Sequence, residues 1–232
     1  MDTIRFTPVR PGVFTTVLTE ERATATLVAG EDRALLVDTG SSPVVGRALR
    51  QAAGRTVVQP LTTVVLTHAH WDHAFGLGAF ADLDTVGHDQ WVHDIACAEN
   101  RVYAERHGID LAGLARPGTT VSLIGVRDLG GLGVEIVHLG TAHTRSDLVV
   151  VIPQAGVVVV GDLVELGPPQ LDETSSLPGW VQALDALVGL LRPDTVVIPG
   201  HGTPLNPGDV ARFRSDLAAL AAGEPRAPGR AG

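Results

Sequence analysis

Residues 67–73 read Thr-His-Ala-His-Trp-Asp-His, three imidazoles and a carboxylate within one loop. Imidazole nitrogen and carboxylate oxygen are the donors that hold divalent transition metals, so the stretch reads as half of a metal site rather than as a His-rich surface loop. His68 and His70 stand two apart in an extended segment, which sends both side chains to one face. Asp72 and His73 fall where the chain turns into a helix expected at 74–80. Being adjacent, they are expected to point in different directions.

More donors follow at His143, Asp162 and His201. One catalytic zinc takes three protein ligands and keeps a position open for water. The donors in the loop and downstream are too many for one ion, and they fit two ions that share a ligand. The expected division gives His68, His70 and His143 to a first metal and Asp72, His73 and His201 to a second. Asp162 bridges both, together with a hydroxide, and Asp72 and Asp162 are the catalytic carboxylates. Two zinc ions are the expected cofactors, with iron or manganese as alternatives because a two-His, one-carboxylate set also suits iron. Asp38 is expected to orient the His loop through hydrogen bonds. Glycines beside the distal donors (Gly140, Gly161, Gly200, Gly202) allow turns that a Cβ would obstruct.

The elements that must position these groups can be read from the apolar runs. ALLV ends in Asp38, TTVVLT in His68, EIVHLGTA in His143, VVVVG in Asp162 and TVVIPG in His201. Strand ends are where a rigid scaffold presents side chains to a cleft, so five distant segments converge if those ends share one edge. Strands are expected at 13–19, 25–29, 34–38, 63–67, 134–139, 148–153, 157–162 and 195–200. Many of these runs are continuously apolar, as strands buried on both faces are. Ser42-Pro43 reads as an N-cap and first helical residue opening a helix at 43–53. Further helices are expected at 89–107, with Trp91, Ile95, Ala98 and Val102 along one stripe, and at 178–191 and 207–222. Two packed sheets with helices outside fit this order better than one doubly wound sheet. Residues 1–222 are expected to form a single domain and 223–232, rich in Gly, Pro and Arg, a disordered tail.

THAHWDH followed in order by TAHT, VGD and PGHG resembles the metallo-β-lactamase-fold superfamily of hydrolases. The resemblance covers about residues 10 to 205. It implies an α/β four-layer αββα sandwich with a dinuclear metal site at one edge, and a metal-dependent hydrolase. An aspartate at 162 is closer to glyoxalase II, lactonases and RNase Z-like nucleases than to zinc β-lactamases with a cysteine at that place. Lactonases of this kind place a tyrosine between the counterparts of Asp162 and His201, and none stands there. The helical extension with a basic cluster expected of a glutathione-thioester hydrolase is missing after His201.

Composition narrows the chemistry. The chain has 232 residues and a formal net charge of −9, which argues against a nucleic-acid surface. Its basic residues are all arginine, so neither a Schiff-base lysine nor a P-loop lysine is available, and no G-x-S-x-G elbow is present. Mean hydropathy is +0.21, yet no apolar run approaches the ~20 residues that span a bilayer. One cysteine and an N-terminus without a signal-peptide pattern fit a cytoplasmic protein. The expected reaction uses the bridging hydroxide on a small-molecule ester, thioester, lactone or amide. The alternatives are a phosphodiesterase or nuclease on the same metals, an iron-dependent redox protein, and β-lactam hydrolysis as main or side reaction. No oligomeric state follows from the sequence.

The remaining candidates are read more plainly. His88, His93 and His107 are expected at the surface or partly packed, His138 as structural, and Cys97 as a mid-helix core residue. Trp71 either walls a substrate pocket or anchors the loop. Arg145 is a candidate clamp for a substrate carboxylate, weighed against a salt bridge. The irregular stretch 165–176 is expected as a pocket rim.

Overall fold

The computed structural model describes residues 4–20 and 22–223. Two sheets carry the fold. The first joins β1 (Thr7–Arg10), β2 (Val13–Val17), β3 (Thr24–Ala29), β4 (Ala34–Val37), β5 (Leu61–Val65), β6 (Asp84–His88) and β7 (Thr119–Val121) in sequence order. The second joins β8 (Ile124–Asp128), β9 (Gly133–Val137), β10 (Val149–Ile152), β11 (Val157–Gly161) and β12 (Val196–Pro199). Helices α1 (Pro43–Thr56), α2 (Trp71–Ala74), α3 (Trp91–Asp94), α4 (Ala98–His107), α5 (Leu177–Leu190) and α6 (Pro207–Ala221) complete the order.

Side-chain alternation along the strands builds the layers. Leu35, Val37, Val65 and Val86 from the first sheet meet Ile136, Val150, Ile152, Val157, Val159 and Ile198 from the second in one buried core. The intervening residues face outward. Leu36 and Val64 join Val45 and Leu49 of α1, and Val149, Val158, Val160 and Val197 join Trp180 and Leu184 of α5 and Val210 and Phe213 of α6. The runs are continuously apolar because each strand is covered on both faces, and the result is a four-layer α/β arrangement.

Polar punctuation sets the helix starts. Ser42 Oγ accepts from the Val45 N–H and Pro43 opens α1, while Ser176 caps α5 and Asn206 forms a reciprocal capping box with Asp209 at α6. All eight expected strands are present, with β1, β6, β7 and β8 in addition. These four are short or built on polar and Gly residues, and they gain their order by pairing with neighbours rather than from local pattern.

The expected helix at 89–107 is two helices, α3 and α4, with Cys97 as the α4 N-cap rather than a mid-helix residue. Its stripe fails at Val102, which is 58% exposed, while Trp91 and Cys97 are buried. The expected helix at 74–80 starts earlier, at Trp71, and gives way to a 3₁₀ turn over Leu77–Phe80. The expected tail lies outside the described residues apart from Gly223.

β4 and β5 run parallel in one sheet, and β11 and β12 run parallel in the other. Parallel neighbours finish at the same edge, so the segments after Val37, Val65, Gly161 and Pro199 emerge together. Main-chain bonds stitch the two sheets there: the Leu148 N–H donates to Thr67 O (2.7 Å) and the Thr24 N–H to Gly200 O (2.6 Å).

Candidate metal centre

The structure brings all seven expected donors to this edge. His68, His70, His143 and Asp162 offer atoms within 4.8 Å of one another, and so do Asp72, His73 and His201. In the first group His70 Nδ1 stands 3.1 Å from His68 Nε2 and 3.0 Å from His143 Nε2. Asp162 Oδ2 lies 3.8 Å from His68 Nε2 and 3.7 Å from His143 Nε2. In the second group Asp72 Oδ2 lies 3.5 Å from His73 Nε2 and 3.2 Å from His201 Nε2, and the two nitrogens are 3.4 Å apart. Donor atoms of a tetrahedral zinc with bonds of about 2.0–2.2 Å stand about 3.3–3.5 Å from each other, so both groups have the required spacing.

Asp162, of the first group, also faces the second. Its Oδ2 also lies 3.4 Å from His201 Nε2, and its Oδ1 lies 3.5 Å from His73 Nε2. That Oδ1 is buried and has no hydrogen-bond partner. A buried carboxylate oxygen without a donor costs several kcal/mol, and a cation between it and the facing nitrogens removes that cost.

The remote ring nitrogens fix which atoms face inward. His73 Nδ1–H donates to Asp38 Oδ2 (2.8 Å), His70 Nε2–H to Asp172 Oδ2 (3.2 Å) and His143 Nδ1–H to Gln170 O (3.2 Å). His68 Nδ1–H donates to Thr67 Oγ1 (3.0 Å), whose hydroxyl donates on to Asp38 (2.9 Å to Oδ2). His70 Nδ1 thus faces both His68 Nε2 and His143 Nε2, across the place a metal would take between them.

The electrostatics carry the same signature. Burial disfavours a charged His201, but hydrogen bonds to Asp162 and Asp72 raise it to about 11. Burial also opposes charge on His73, and Asp72 and Asp162 raise it to about 9. Burial and then the charge on His70 push His143 down to about 4. Burial disfavours ionised Asp72 and Asp162, yet His73 ahead of His201 holds Asp72 below and Asp162 well below the carboxylate range. The protons on His73 and His201 occupy the place of a cation, and two imidazolium N–H groups facing at 3.4 Å occupy it badly.

Local backbone explains the convergence. His70 is extended (φ −67°, ψ 152°) and precedes the single turn of α2, which carries Asp72 and His73. Adjacent in sequence, these two were expected to diverge. Instead the long imidazole and the short carboxylate reach the same point from neighbouring positions of the turn. Gly161 (φ +54°) and Gly202 (φ +93°) take left-handed backbone beside Asp162 and His201. Gly200 is needed for space, since a Cβ there would strike Asp162 Oδ1. His143 is not at a strand end: β9 stops at Val137, and the loop to β10 delivers the ring.

Trp71 stacks on Tyr103 (ring centroids 3.9 Å apart), and its Nε1–H donates to Glu99 (2.9 Å), so it anchors the loop and also lines the cleft beside the donors. Arg145 lies 3.6 Å from the buried carboxylate of Asp94. His88 was expected at or near the surface. It is buried at the end of β6 and stacks on His138 (4.0 Å). His93 and His107 are exposed. The stretch 165–176 lines the cleft through Glu165, Leu166, Gly167, Pro168 and Gln170. Burial and the neighbouring Asp162 push the Glu165 carboxyl up to about 8. Sequence reasoning missed the role of Thr67, although it opens the His-rich motif, and it missed Gln170, Asp172 and the cleft-lining Arg22, which belong to no spaced motif. Asp172 had one usable signal, a carboxylate in the irregular segment that follows the Asp162 strand end.

The description "Metallo-beta-lactamase superfamily" matches residues 18–201. The chain belongs to this superfamily. A curated relative, metallo-beta-lactamase domain-containing protein 1 from Xenopus laevis, is 31% identical over 179 residues, covering 73% of this chain and 66% of that protein. The chain therefore spans just under two thirds of that relative's length. A metallo-beta-lactamase from Pontibacter korlensis shares the fold with a TM-score of 0.75 at 22% identity, covering 93% of this chain and 99% of its own. The metallo-beta-lactamase FIM-1 from Pseudomonas aeruginosa, solved in a mono-zinc form, superposes with a TM-score of 0.73 at 22% identity, covering 94% of this chain and 96% of its own. The αββα sandwich is that of these neighbours, and the superfamily is made up mostly of metal-dependent hydrolases.

Proposed function

We propose that the chain is a dinuclear metal-dependent hydrolase acting on a small-molecule ester, thioester, lactone or amide. The observation that carries this reading is that Asp162, a donor of the first group, also faces His73 and His201 of the second, with a buried oxygen that has no hydrogen-bond partner among the described residues. Zinc is the proposed metal at both groups. Nitrogen and oxygen donors at near-tetrahedral spacing suit it, and the mono-zinc form of FIM-1 supports the choice for at least one group.

His68, His70, His143 and Asp162 would hold one metal and Asp72, His73 and His201 a second, and such metals would supply a nucleophile from water at neutral pH and polarise a scissile carbonyl. The chain's own groups set the geometry of that chemistry. Asp38, Thr67, Gln170 and Asp172 hold the remote ring nitrogens, so the inward nitrogens are aimed at the positions the metals would take. Trp71 and Gln170 line the cleft beside the donors, and Glu165 to Pro168 line the neighbouring one that reaches His201. His201 is the most open of the donors, its side chain 28% exposed, so substrate enters from its side.

The acidic surface favours a small uncharged or singly charged substrate over a polynucleotide. Cytoplasmic placement belongs to the same proposal and rests on the single cysteine, Cys97, which is buried and free. Among the described residues no helix is long and apolar enough to cross a membrane.

Elemental analysis of protein purified without added metal, followed by a panel of esters, thioesters, lactones, β-lactams and bis-p-nitrophenyl phosphate, tests the reading. The expected result is two zinc ions per chain and turnover of a carbonyl substrate that Asp162→Ala abolishes. One iron per chain with colour, turnover confined to the phosphodiester, or full activity in Asp162→Ala would each overturn it.

A further inference from the structure

Arg22 lies on the turn between β2 and β3, far in sequence from every donor, yet it lines both clefts that reach the metal centre. One cleft is bounded by Arg22, His70, Trp71, Asp72, Glu99, Asp162, Gln170 and His201, and the other by Arg22, Glu165, Gln170, His201 and their neighbours. The two share Arg22, Gln170 and His201, so the guanidinium stands at their junction. Among the described residues it is the one arginine lining either cleft, in a chain with no lysine.

Its position is fixed from below. Ala23 pairs with His201 in an antiparallel bridge, the Thr24 N–H donates to Gly200 O (2.6 Å), and Thr24 Oγ1 donates to Gly202 O (3.3 Å). The Arg22 N–H donates to Leu18 O (2.8 Å), and φ is +59°. A long side chain in the left-handed region costs about 1 kcal/mol or more where glycine or asparagine sits at ease, and such outliers gather at functional sites. Arg22 is exposed and makes no ion pair among the described residues, whereas Arg145 is already drawn to Asp94.

We propose that Arg22 anchors a carboxylate of the substrate, so that the enzyme selects esters, thioesters or amides carrying a free acid group close to the scissile carbonyl. A guanidinium pairs with a carboxylate through two parallel hydrogen bonds and cancels its single charge. The Glu99 carboxylate on the cleft wall disfavours a doubly charged phosphate at the same place. The anchor rests on the hydrolase reading for its meaning, but its test is separable from that reading.

Zinc-loaded wild type and Arg22→Asn are titrated calorimetrically with 2-mercaptoethanol and with 3-mercaptopropionate. Both thiolates take a zinc site, and only the second carries a carboxylate. Asparagine tolerates the left-handed backbone, which keeps the variant folded. The wild type is expected to prefer the acid by about tenfold, and Arg22→Asn to lose that preference. An equal preference in both proteins would overturn the anchor while leaving the metal centre intact, and absence of thiol binding in the wild type would count against the metal centre itself. In turnover, the ratio of kcat/KM for p-nitrophenyl hydrogen glutarate over p-nitrophenyl butyrate should fall about tenfold in Arg22→Asn, mainly through KM. A ratio that does not move overturns the anchor. No turnover of either ester by wild type refutes esterase action, and the thiol comparison still decides Arg22.

Discussion

Asp38 shows how one carboxylate can serve two donor groups. Its left-handed backbone (φ +66°) turns the side chain back under the His loop. There it accepts from the Thr67 N–H (2.8 Å), the Thr67 hydroxyl and His73 Nδ1–H. Through Thr67 it holds His68 of the first group, and directly it holds His73 of the second. Asp38→Ala should therefore weaken metal binding roughly 10–100-fold at both groups, read by competition with a chromogenic chelator. Unchanged metal content and activity would sink that role. Asp172 acts on one ring only, His70, so Asp172→Asn should weaken the first group and leave the Asp72–His73–His201 group closer to wild type. Equal weakening of both groups would show that Asp172 acts on the whole loop.

At the scale of elements, the strands carry precision at their ends and tolerance elsewhere. Gly200, after β12, has Asp162 where a Cβ would go, so Gly200→Ala must displace the Asp162 carboxylate. Loss of metal and of turnover is expected while the far-ultraviolet circular dichroism stays near wild type. Gly189 lies on the exposed face of α5, where a Cβ would meet nothing within 4 Å. Gly189→Ala should raise stability by about 0.5–1 kcal/mol in urea unfolding, since it removes backbone entropy without a clash. The pair separates a glycine kept for space at the site from one with no local reason to be glycine.

The molecule as a whole pays for a cleft of concentrated charge. In the metal-free state His73 and His201 are raised above the ordinary histidine value, to about 9 and about 11. A raised histidine contributes stability that is full below the unfolded pKa of about 6.5 and is lost as pH climbs through the folded value. Glu165, raised to about 8, loses stability in the same direction. Between pH 7 and pH 9 the chelated protein should therefore melt at progressively lower temperature. Over the same interval zinc competes with fewer protons, so the difference in Tm between loaded and chelated protein should widen. A difference that narrows toward pH 9 would contradict the assignment of these protons to the metal positions.

The sequence by itself singled out the side chains that converge, because imidazole and carboxylate are metal-donor groups and His68, His70, Asp72, His73, His143, Asp162 and His201 stand in recognisable spacing. It also determined the buried strands, because covering both faces demands unbroken Val, Leu and Ile. What it left open was whatever depends on neighbours distant in the chain. β6 to β8 exist by pairing, the 89–107 segment breaks at Cys97, and Arg145 finds Asp94 rather than the cleft. Only the tertiary structure placed Asp172 and Gln170 behind the histidines and Arg22 before them. Those contacts join segments that no local period or motif relates, and only the packing of two sheets edge to edge decides them.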